Sequence, residues 1–166
     1  MEEKERLSYI LQLRILENIE PDNQIYRHLR IALENGYELH YKELFSTFLN
    51  STLSIDNCRL VLDILEMYRG IIFSANIFQM PTENYKFPGF DGNDELEAKM
   101  MSYTEYFLIE LGRYEEIRNL SHDNFNSHCP MLEAYKARLK YWKELPTQIQ
   151  YMMSKEQLKS LLSIWR

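Results

Sequence analysis

Two arginines and a histidine lie close together late in the chain, at Arg113, Arg118 and His122. A helical arginine–histidine pair can cleave a phosphodiester bond when the arginine holds the phosphate and the histidine acts as general base. Helical ribonucleases with such a pair leave more residues between its members than the three that separate Arg118 from His122. A weak nucleic-acid-processing enzyme, or an RNA-binding protein, that uses these three residues is therefore an alternative hypothesis and not the favoured one.

A polar loop over residues 121–130 holds further residue types that could ligate zinc, namely His122, Asp123, His128 and Cys129. Two histidines six positions apart in a loop match no recognised zinc-ligand spacing. Cys58 and Cys129 are the only cysteines, and they lack the short spacing of a metal-binding or redox pair. We therefore predict no metal site, no cofactor and two free thiols.

Charge is segregated between two segments in the second half of the chain. Residues 91–116 contain eight acids and two bases, whereas Lys136, Arg138, Lys140 and Lys143 follow with no acid among them. On a helix, Lys136, Lys140 and Lys143 share one face and could form an anion-binding or partner-binding stripe. The favoured interpretation is that the acidic and basic helices lie side by side, with each exposed ion pair worth less than ~1 kcal/mol.

The elements that must position these residues are predicted to be helices of a single domain over residues 1–166. The chain has five Gly and five Pro among 166 residues and is 45% hydrophobic, so helical patterns are seldom interrupted. The fold class is therefore predicted to be all-α, a bundle of about seven helices. Apolar spacings of three and four residues place these helices at 3–19, 23–34, 41–49, 56–78, 94–111, 131–144 and 154–164.

Between the fourth and fifth predicted helices lies a loop over residues 81–93, which we call the hinge loop. It contains Pro88 and two glycines among three aromatic residues, Tyr85, Phe87 and Phe90. Turn-forming residues alone would make a flexible linker, but aromatic side chains are costly to leave in water. We predict that the hinge loop is ordered and that Phe87 and Phe90 insert into the core.

Net charge and the first residues indicate the surroundings of the protein. The net charge of −6 disfavours a diffuse electrostatic contact with nucleic acid or an anionic membrane. The chain begins with acidic residues where a signal peptide would be basic, and no apolar run approaches the ~18 residues of a membrane span. We expect a cytoplasmic protein that does not bind membranes and has little affinity for nucleic acid.

Motifs spread over nearly the whole chain resemble a known family. They are Arg6-Leu7 with Gln12, Gly36-Tyr37, Glu66-Met67-Tyr68, Phe87 with Gly89-Phe90-Asp91, Gly112-Arg113-Tyr114, Phe125-Asn126, and Pro130-Met131 with Glu133, Tyr135, Leu139 and Trp142. In this order the chain resembles the YfbU family of bacterial proteins, which has no assigned biochemical activity. The resemblance implies a compact, all-helical, bacterial cytoplasmic protein that forms a homo-oligomer, and it adds no catalytic residues.

Candidate ligand-binding residues are polar members of these motifs and one neighbouring histidine: Asp91, Arg113, Tyr114 and His122. The chain departs from the family pattern at Leu11, Pro88 and Leu111. A ligand site taken over from the family would therefore be altered here, while the core pattern is unchanged.

The favoured function is that of a non-enzymatic, homo-oligomeric interaction or regulatory protein, because the apolar patterns exceed what one core needs. The helix over 154–164 carries Leu158, Leu161, Leu162 and Trp165, and this segment could dock on its own subunit or on another. We predict a symmetric dimer or a higher even oligomer. Its contact is expected on the helices over 94–111, 131–144 or 154–164.

Overall fold

The structure is a computed structural model that describes residues 1–49, 51–121 and 124–164. The interpretations that involve His122, Asp123 and Trp165 fall outside these residues. About 70% of the chain is helical, and the described residues form no strand, so the predicted all-α class is confirmed. Within the same residues, no helix combines the length and the hydropathy that crossing a membrane requires.

All seven predicted helices are present, and two short helices, α6 and α8, are added to them. The helices are α1 Glu3–Ile19, α2 Gln24–Asn35, α3 Tyr41–Phe48, α4 Ile55–Ile77, α5 Glu95–Glu105, α6 Glu115–Arg118, α7 Leu132–Glu144, α8 Thr147–Gln150 and α9 Lys155–Ser163. The prediction for 94–111 is correct in extent but not in geometry, because the last turns, Tyr106–Glu110, are a π-helix. Two 3-10 turns, Glu38–His40 and Thr82–Tyr85, lie in the connections.

Local side-chain caps explain why the helix starts could be predicted. The side chains of Asn23, Ser54, Asp94 and Ser154 each accept a backbone N–H from the first turn of the helix that follows. Such a cap satisfies a donor that has no partner within the helix. Gly36 ends α2 in the left-handed conformation, with φ of 71°, as its position after Asn35 predicts.

The chain packs as two compact units, and the first is Met1–Thr52. In this unit α1 and α2 share a small core with α3, made by Ile10, Leu13, Leu29, Leu33 and Leu44. Ion pairs link the two long helices beside this core. Arg30 on α2 contacts Glu17 on α1 at 2.6 Å and Glu34 on its own helix at 2.7 Å.

The second unit, Leu53–Arg166, is built around α4. Between Val61 and Ala75 this helix is buried almost all the way round, which agrees with its nearly continuous apolar pattern. Gly70 permits a close crossing, because a Cβ there would lie 2.3 Å from the carbonyl oxygen of Gln150. One turn later, the hydroxyl of Ser74 accepts the N–H of Met153 at 2.9 Å, which fixes the chain leading into α9.

The hinge loop is ordered, and its aromatic residues are inserted as predicted. Phe87 and Phe90 are 3% and 0% exposed. Their rings lie 5.8 and 5.5 Å from the ring of Tyr135 on α7, and Phe87 also meets Tyr68 of α4 edge-on at 5.1 Å. The hydroxyl of Tyr135 donates a hydrogen bond of 2.6 Å to the carbonyl of Gly89. The loop therefore belongs to the core of the second unit.

We predict that Phe90→Ala lowers the free energy of unfolding by about 3–5 kcal/mol, because it leaves a cavity among Phe87, Tyr135 and their neighbours. Urea unfolding followed by circular dichroism measures this loss. Phe78→Ala is the matched control, since Phe78 is 38% exposed at the end of α4. Equal effects of the two substitutions would contradict insertion of Phe90 into the core.

Candidate functional site

The hinge loop meets the loop before α7 through backbone hydrogen bonds, and the two loops together form what we call the loop junction. Phe90 donates its N–H to the carbonyl of Phe125, and Ser127 donates its N–H to the carbonyl of Phe90, both at 2.9 Å. These bonds form an isolated parallel bridge between Phe90 and Asn126. The side-chain oxygen of Asn126 accepts the N–H of Gly92 at 3.1 Å. Several residues of the family motifs thus lie together here.

Glu97 is the central acceptor of the loop junction and is 4% exposed. Its carboxylate accepts the N–H of Asp91 at 2.9 Å, of Met131 at 3.0 Å and of Leu132 at 2.9 Å. Glu97 follows Asp94 at the spacing of a capping box, in which the glutamate side chain accepts the backbone N–H of the cap residue. Asp94 does cap α5, but Glu97 instead caps α7, where the positive end of the helix dipole favours a carboxylate.

Asp91, a candidate ligand-binding residue, lies in the same junction and is buried. Its carboxylate accepts both the backbone N–H and the side-chain N–H of Asn93, each at 3.0 Å. This is an aspartate-stabilised turn, which shapes the approach to α5. These contacts give Asp91 a structural part in the loop junction.

Tyr114, another candidate, belongs to a second group that we call the Glu66 cluster: Glu66, Arg69, Tyr114, Glu116 and Tyr151. The hydroxyls of Tyr114 and Tyr151 donate to the two oxygens of Glu66 at 2.5 Å each. Arg69 contacts Glu66 at 3.3 Å, forms an ion pair with Glu116 and lies 4.1 Å from the ring centre of Tyr114. The cluster ties α4 to α6 and to the residue that follows α8.

Tyr114 reaches this cluster through an unusual backbone conformation. It has φ of 49° and ψ of 59°, a left-handed conformation that residues with a Cβ adopt infrequently and at a cost. It follows Gly112, which also has a positive φ, and it precedes the first residue of α6. The sharp reversal after the π-helical turn is therefore held by the hydrogen bond to Glu66 and by packing against Phe107, 5.2 Å away between ring centres.

The electrostatics of the Glu66 cluster favour one protonation state. Burial raises the pKa of Glu66, but hydrogen bonds from Tyr114 and Tyr151 and the charge of Arg69 outweigh it, so this pKa lies below its usual value. Burial and the hydrogen bond to Glu66 raise the pKa of Tyr151 to about 12, and the pKa of Tyr114 is raised by the same causes. Ionised glutamate with neutral tyrosines is typical of a structural clamp rather than of an acid–base pair working near pH 7.

The remaining candidates are not brought together. Arg113 is exposed and has no side-chain hydrogen bond or ion pair to any residue that the structure describes. Arg118 contacts Glu115 on its own helix at 3.6 Å. No side-chain hydrogen bond or ion pair among the described residues joins Arg113 to its chain neighbour Tyr114 or to Asp91, so these candidates do not form one site. In the same part of the chain, no group of three His, Cys, Asp or Glu residues could hold a metal ion.

Three of the four basic residues that the sequence analysis singled out on α7 have partners other than the acids of residues 91–116. Lys136 contacts Glu133 on its own helix at 2.7 Å, and Lys143 forms an ion pair with Asp63 of α4. Lys140 is exposed and makes no ion pair within the described residues, while Arg138 is buried and donates to the hydroxyl of Tyr68 at 3.3 Å. Among the described residues, the expected ion pairs between the two oppositely charged segments are not formed. The helix α7 packs against α4, α8 and α9, and Glu97 of α5 contacts its first turn.

An exposed apolar surface lies on α1, whereas the sequence analysis predicted one on the last helix. The predicted surplus on the last helix is used in the chain's own core, since Met153, Leu158 and Leu161 are fully buried. On α1, by contrast, four apolar side chains at a spacing of four residues are 57%, 50%, 59% and 67% exposed: Leu7, Leu11, Ile15 and Ile19. We call these four residues the α1 stripe.

The α1 stripe lies on the side of the helix opposite to the core. Ile10 and Leu13 point into the core of the first unit, and successive residues of a helix are rotated by about 100°. In the sequence, the spacings of three and four residues among Leu7, Ile10 and Leu11 fit one broad apolar face and do not separate the two rows. The constant spacing of four residues from Leu7 to Ile19, next to the spacing of three between Ile10 and Leu13, was the sequence signal that could have distinguished the two faces.

Among the described residues, these observations define an all-helical protein. The polar side chains of the loop junction and of the Glu66 cluster have their hydrogen-bond partners within the fold, and α1 exposes an apolar face. The model of the YfbU domain matches residues 1–164 of the chain. The chain therefore belongs to the YfbU domain family, and the resemblance noted in its motifs is confirmed.

We predict that Gly89→Ala is much more destabilising than Gly112→Ala, although both glycines have a positive φ. A Cβ at Gly89 would lie 1.8 Å from the carbonyl oxygen of Phe125, whereas a Cβ at Gly112 would meet nothing within 4 Å. Backbone strain should cost about 1 kcal/mol in each variant, and displacement of the loop junction should add about 1–3 kcal/mol in Gly89→Ala. Chemical unfolding of both variants tests this, and similar losses would show that the close approach does not matter.

We also predict that the stability of the fold depends on pH through the ionisation of Glu66. Because its pKa is lower in the folded chain than the unfolded value of about 4.3, its contribution is complete above that pH and is lost as the pH falls through the folded pKa. The difference in unfolding free energy between the wild type and Glu66→Gln should shrink on acidification. Glu110→Gln, at an exposed position, is the control. A difference that stays constant from neutral to acidic pH would refute this role.

Proposed function

We propose that this protein is a non-enzymatic, self-associating interaction or regulatory protein of the bacterial cytoplasm. The observation that carries the proposal is the α1 stripe. Exposed apolar residues are ordinary when they are scattered singly, but contiguous apolar patches on a surface are typical of interaction sites. Four large aliphatic side chains in consecutive turns of one helix form such a patch.

The polar groups of the chain support the same proposal. Glu97 is occupied by backbone donors, and Glu66 by two tyrosines and an arginine, so both carboxylates serve the fold. The net charge of −6 adds repulsion against nucleic acid and anionic lipid. An apolar surface on a negatively charged protein is better matched to another protein surface than to either of these.

The alternative, a weak nucleic-acid-processing or RNA-binding protein, gains no observation in its favour. Its residues include Arg118, which already contacts Glu115, and Arg113, which stands apart from the Glu66 cluster. A test of this alternative is RNA cleavage or retention that is lost in an Arg113→Ala, Arg118→Ala double variant.

We expect light scattering after size exclusion to give a mass of at least twice 20.1 kDa at micromolar concentration and a lower mass on dilution. Because the proposed contact is apolar, the mass should persist when salt is raised, whereas a contact between charged helices should weaken. A mass of one chain at every concentration would overturn the proposal.

A further inference from the structure

We infer that the α1 stripe is the surface through which the chain self-associates, and that its occupant is the α1 stripe of a second copy in an antiparallel, two-fold arrangement. This inference rests on the proposed function and adds to it a location and a geometry. It differs from the sequence interpretation, which placed the contact on the later helices.

Self-complementarity is the first argument for a second copy. A two-fold contact uses the same patch on both partners, so that patch must be compatible with itself. The middle of the α1 stripe fulfils this condition, because Leu11 and Ile15 are apolar and their neighbours Ser8 and Asn18 are uncharged. The charged neighbour Arg14 is exposed, but it is paired with Glu34 of α2 at 2.8 Å. Two copies of a chain with a net charge of −6 can meet at such a neutral surface without juxtaposing like charges.

Charges at the two ends of α1 favour the antiparallel direction. At the amino end Lys4 lies on the exposed face three residues before Leu7, with the exposed Glu3 and Glu5 on either side of it in the chain. The carboxyl end is more acidic, because the exposed Glu20 and Asp22 follow one another there with no base between them. A parallel pair would place Lys4 near Lys4 and Asp22 near Asp22. An antiparallel pair places each Lys4 at the end that carries the partner's Asp22, and it also aligns the two helix dipoles favourably.

The spacing of the α1 stripe determines how two copies can fit. A row of residues four apart forms a ridge inclined to the helix axis, and two such ridges interdigitate at a crossing angle of about −50°. In an antiparallel pair, Leu11 then faces the partner's Ile15 near the axis, while Leu7 and Ile19 lie at the edges. Leu11 and Ile15 should therefore dominate the contact.

The size of the stripe indicates the strength of the contact. From Leu7 to Ile19 the helix rises about 18 Å, and a standard interface takes about 800 Å² from each partner. The four side chains can form the apolar centre of such an interface, and polar residues beside them, Ser8, Gln12 and Asn18, can form its rim. An interface at the small end of the range should dissociate on dilution.

The decisive experiment compares Leu11→Glu with Leu39→Glu in the full-length chain. Leu39 is 84% exposed in the same unit but lies outside α1, so its variant carries the same change of charge and hydropathy. Light scattering should give the mass of one chain for Leu11→Glu and the wild-type mass for Leu39→Glu. Both side chains are exposed, so circular dichroism should show wild-type helix content in each variant.

Each outcome bears on one of the two proposals. If the wild type is oligomeric and Leu11→Glu remains so, the location on α1 is refuted while the proposed self-association stands. If the wild type is a single chain at all concentrations, the proposed function itself fails. Loss of mass in both variants would also refute the location, since the effect would not be specific to α1.

Cysteine cross-linking tests the direction of the pair. In a background with Cys58→Ser and Cys129→Ser, the single variants Leu11→Cys and Ile15→Cys are oxidised separately and as a mixture. An antiparallel pair predicts cross-linked dimers mainly in the mixture, because Leu11 faces the partner's Ile15. Efficient cross-linking of Leu11→Cys alone would overturn the antiparallel arrangement.

Discussion

Most of the second unit depends on the hydrogen bonds that the carboxylate of Glu97 accepts. It accepts backbone N–H groups from the hinge loop and from the first turn of α7, so one side chain sets the distance between two segments that are far apart in sequence. α7 in turn carries Tyr135, against which Phe87 and Phe90 pack. Without this acceptor, buried N–H groups in both segments would lack a partner, which costs about 1–3 kcal/mol for each group. The insertion of the hinge loop into the core is therefore as much a consequence of hydrogen bonding as of hydrophobic burial.

The Glu66 cluster uses the same principle with side-chain donors. Two tyrosine hydroxyls and an arginine converge on one carboxylate, and the strained backbone of Tyr114 is held in place by these contacts. In both places the carboxylates that could take part in catalysis or ligand binding are instead engaged in hydrogen bonds that hold the fold together. This is why the polar family motifs do not assemble into an open site among the described residues, and why the proposed function turns to an apolar surface instead.

The extent to which the sequence predicts this structure follows from the range of each interaction. Helix starts at Ser54, Asp94 and Ser154 could be predicted because their caps act within three residues, and the burial of Phe87 and Phe90 because aromatic side chains within a loop need cover. The α7 partners of Glu97 and the tyrosine partners of Glu66 could not be predicted, because they lie 34 to 85 residues away and no local sequence pattern indicates them. The two-faced character of α1 was missed for another reason. Spacings of three and four residues overlap on a helix, so a buried row and an exposed row merge into one apparent stripe.

Self-association through α1 would also affect the stability of the first unit. The core cluster of this unit has five buried hydrophobic side chains among the residues that the structure describes, and a unit of 52 residues gains little surplus stability from a single core. Four of its exposed large hydrophobic side chains form the α1 stripe, and burying them against a second copy would add to the core on the opposite face of the same helix. Binding that favours only the folded form stabilises it in proportion to the logarithm of the partner's concentration. In the proposed dimer, folding of the first unit and association are therefore linked, because one face of α1 belongs to the core and the other face forms the contact.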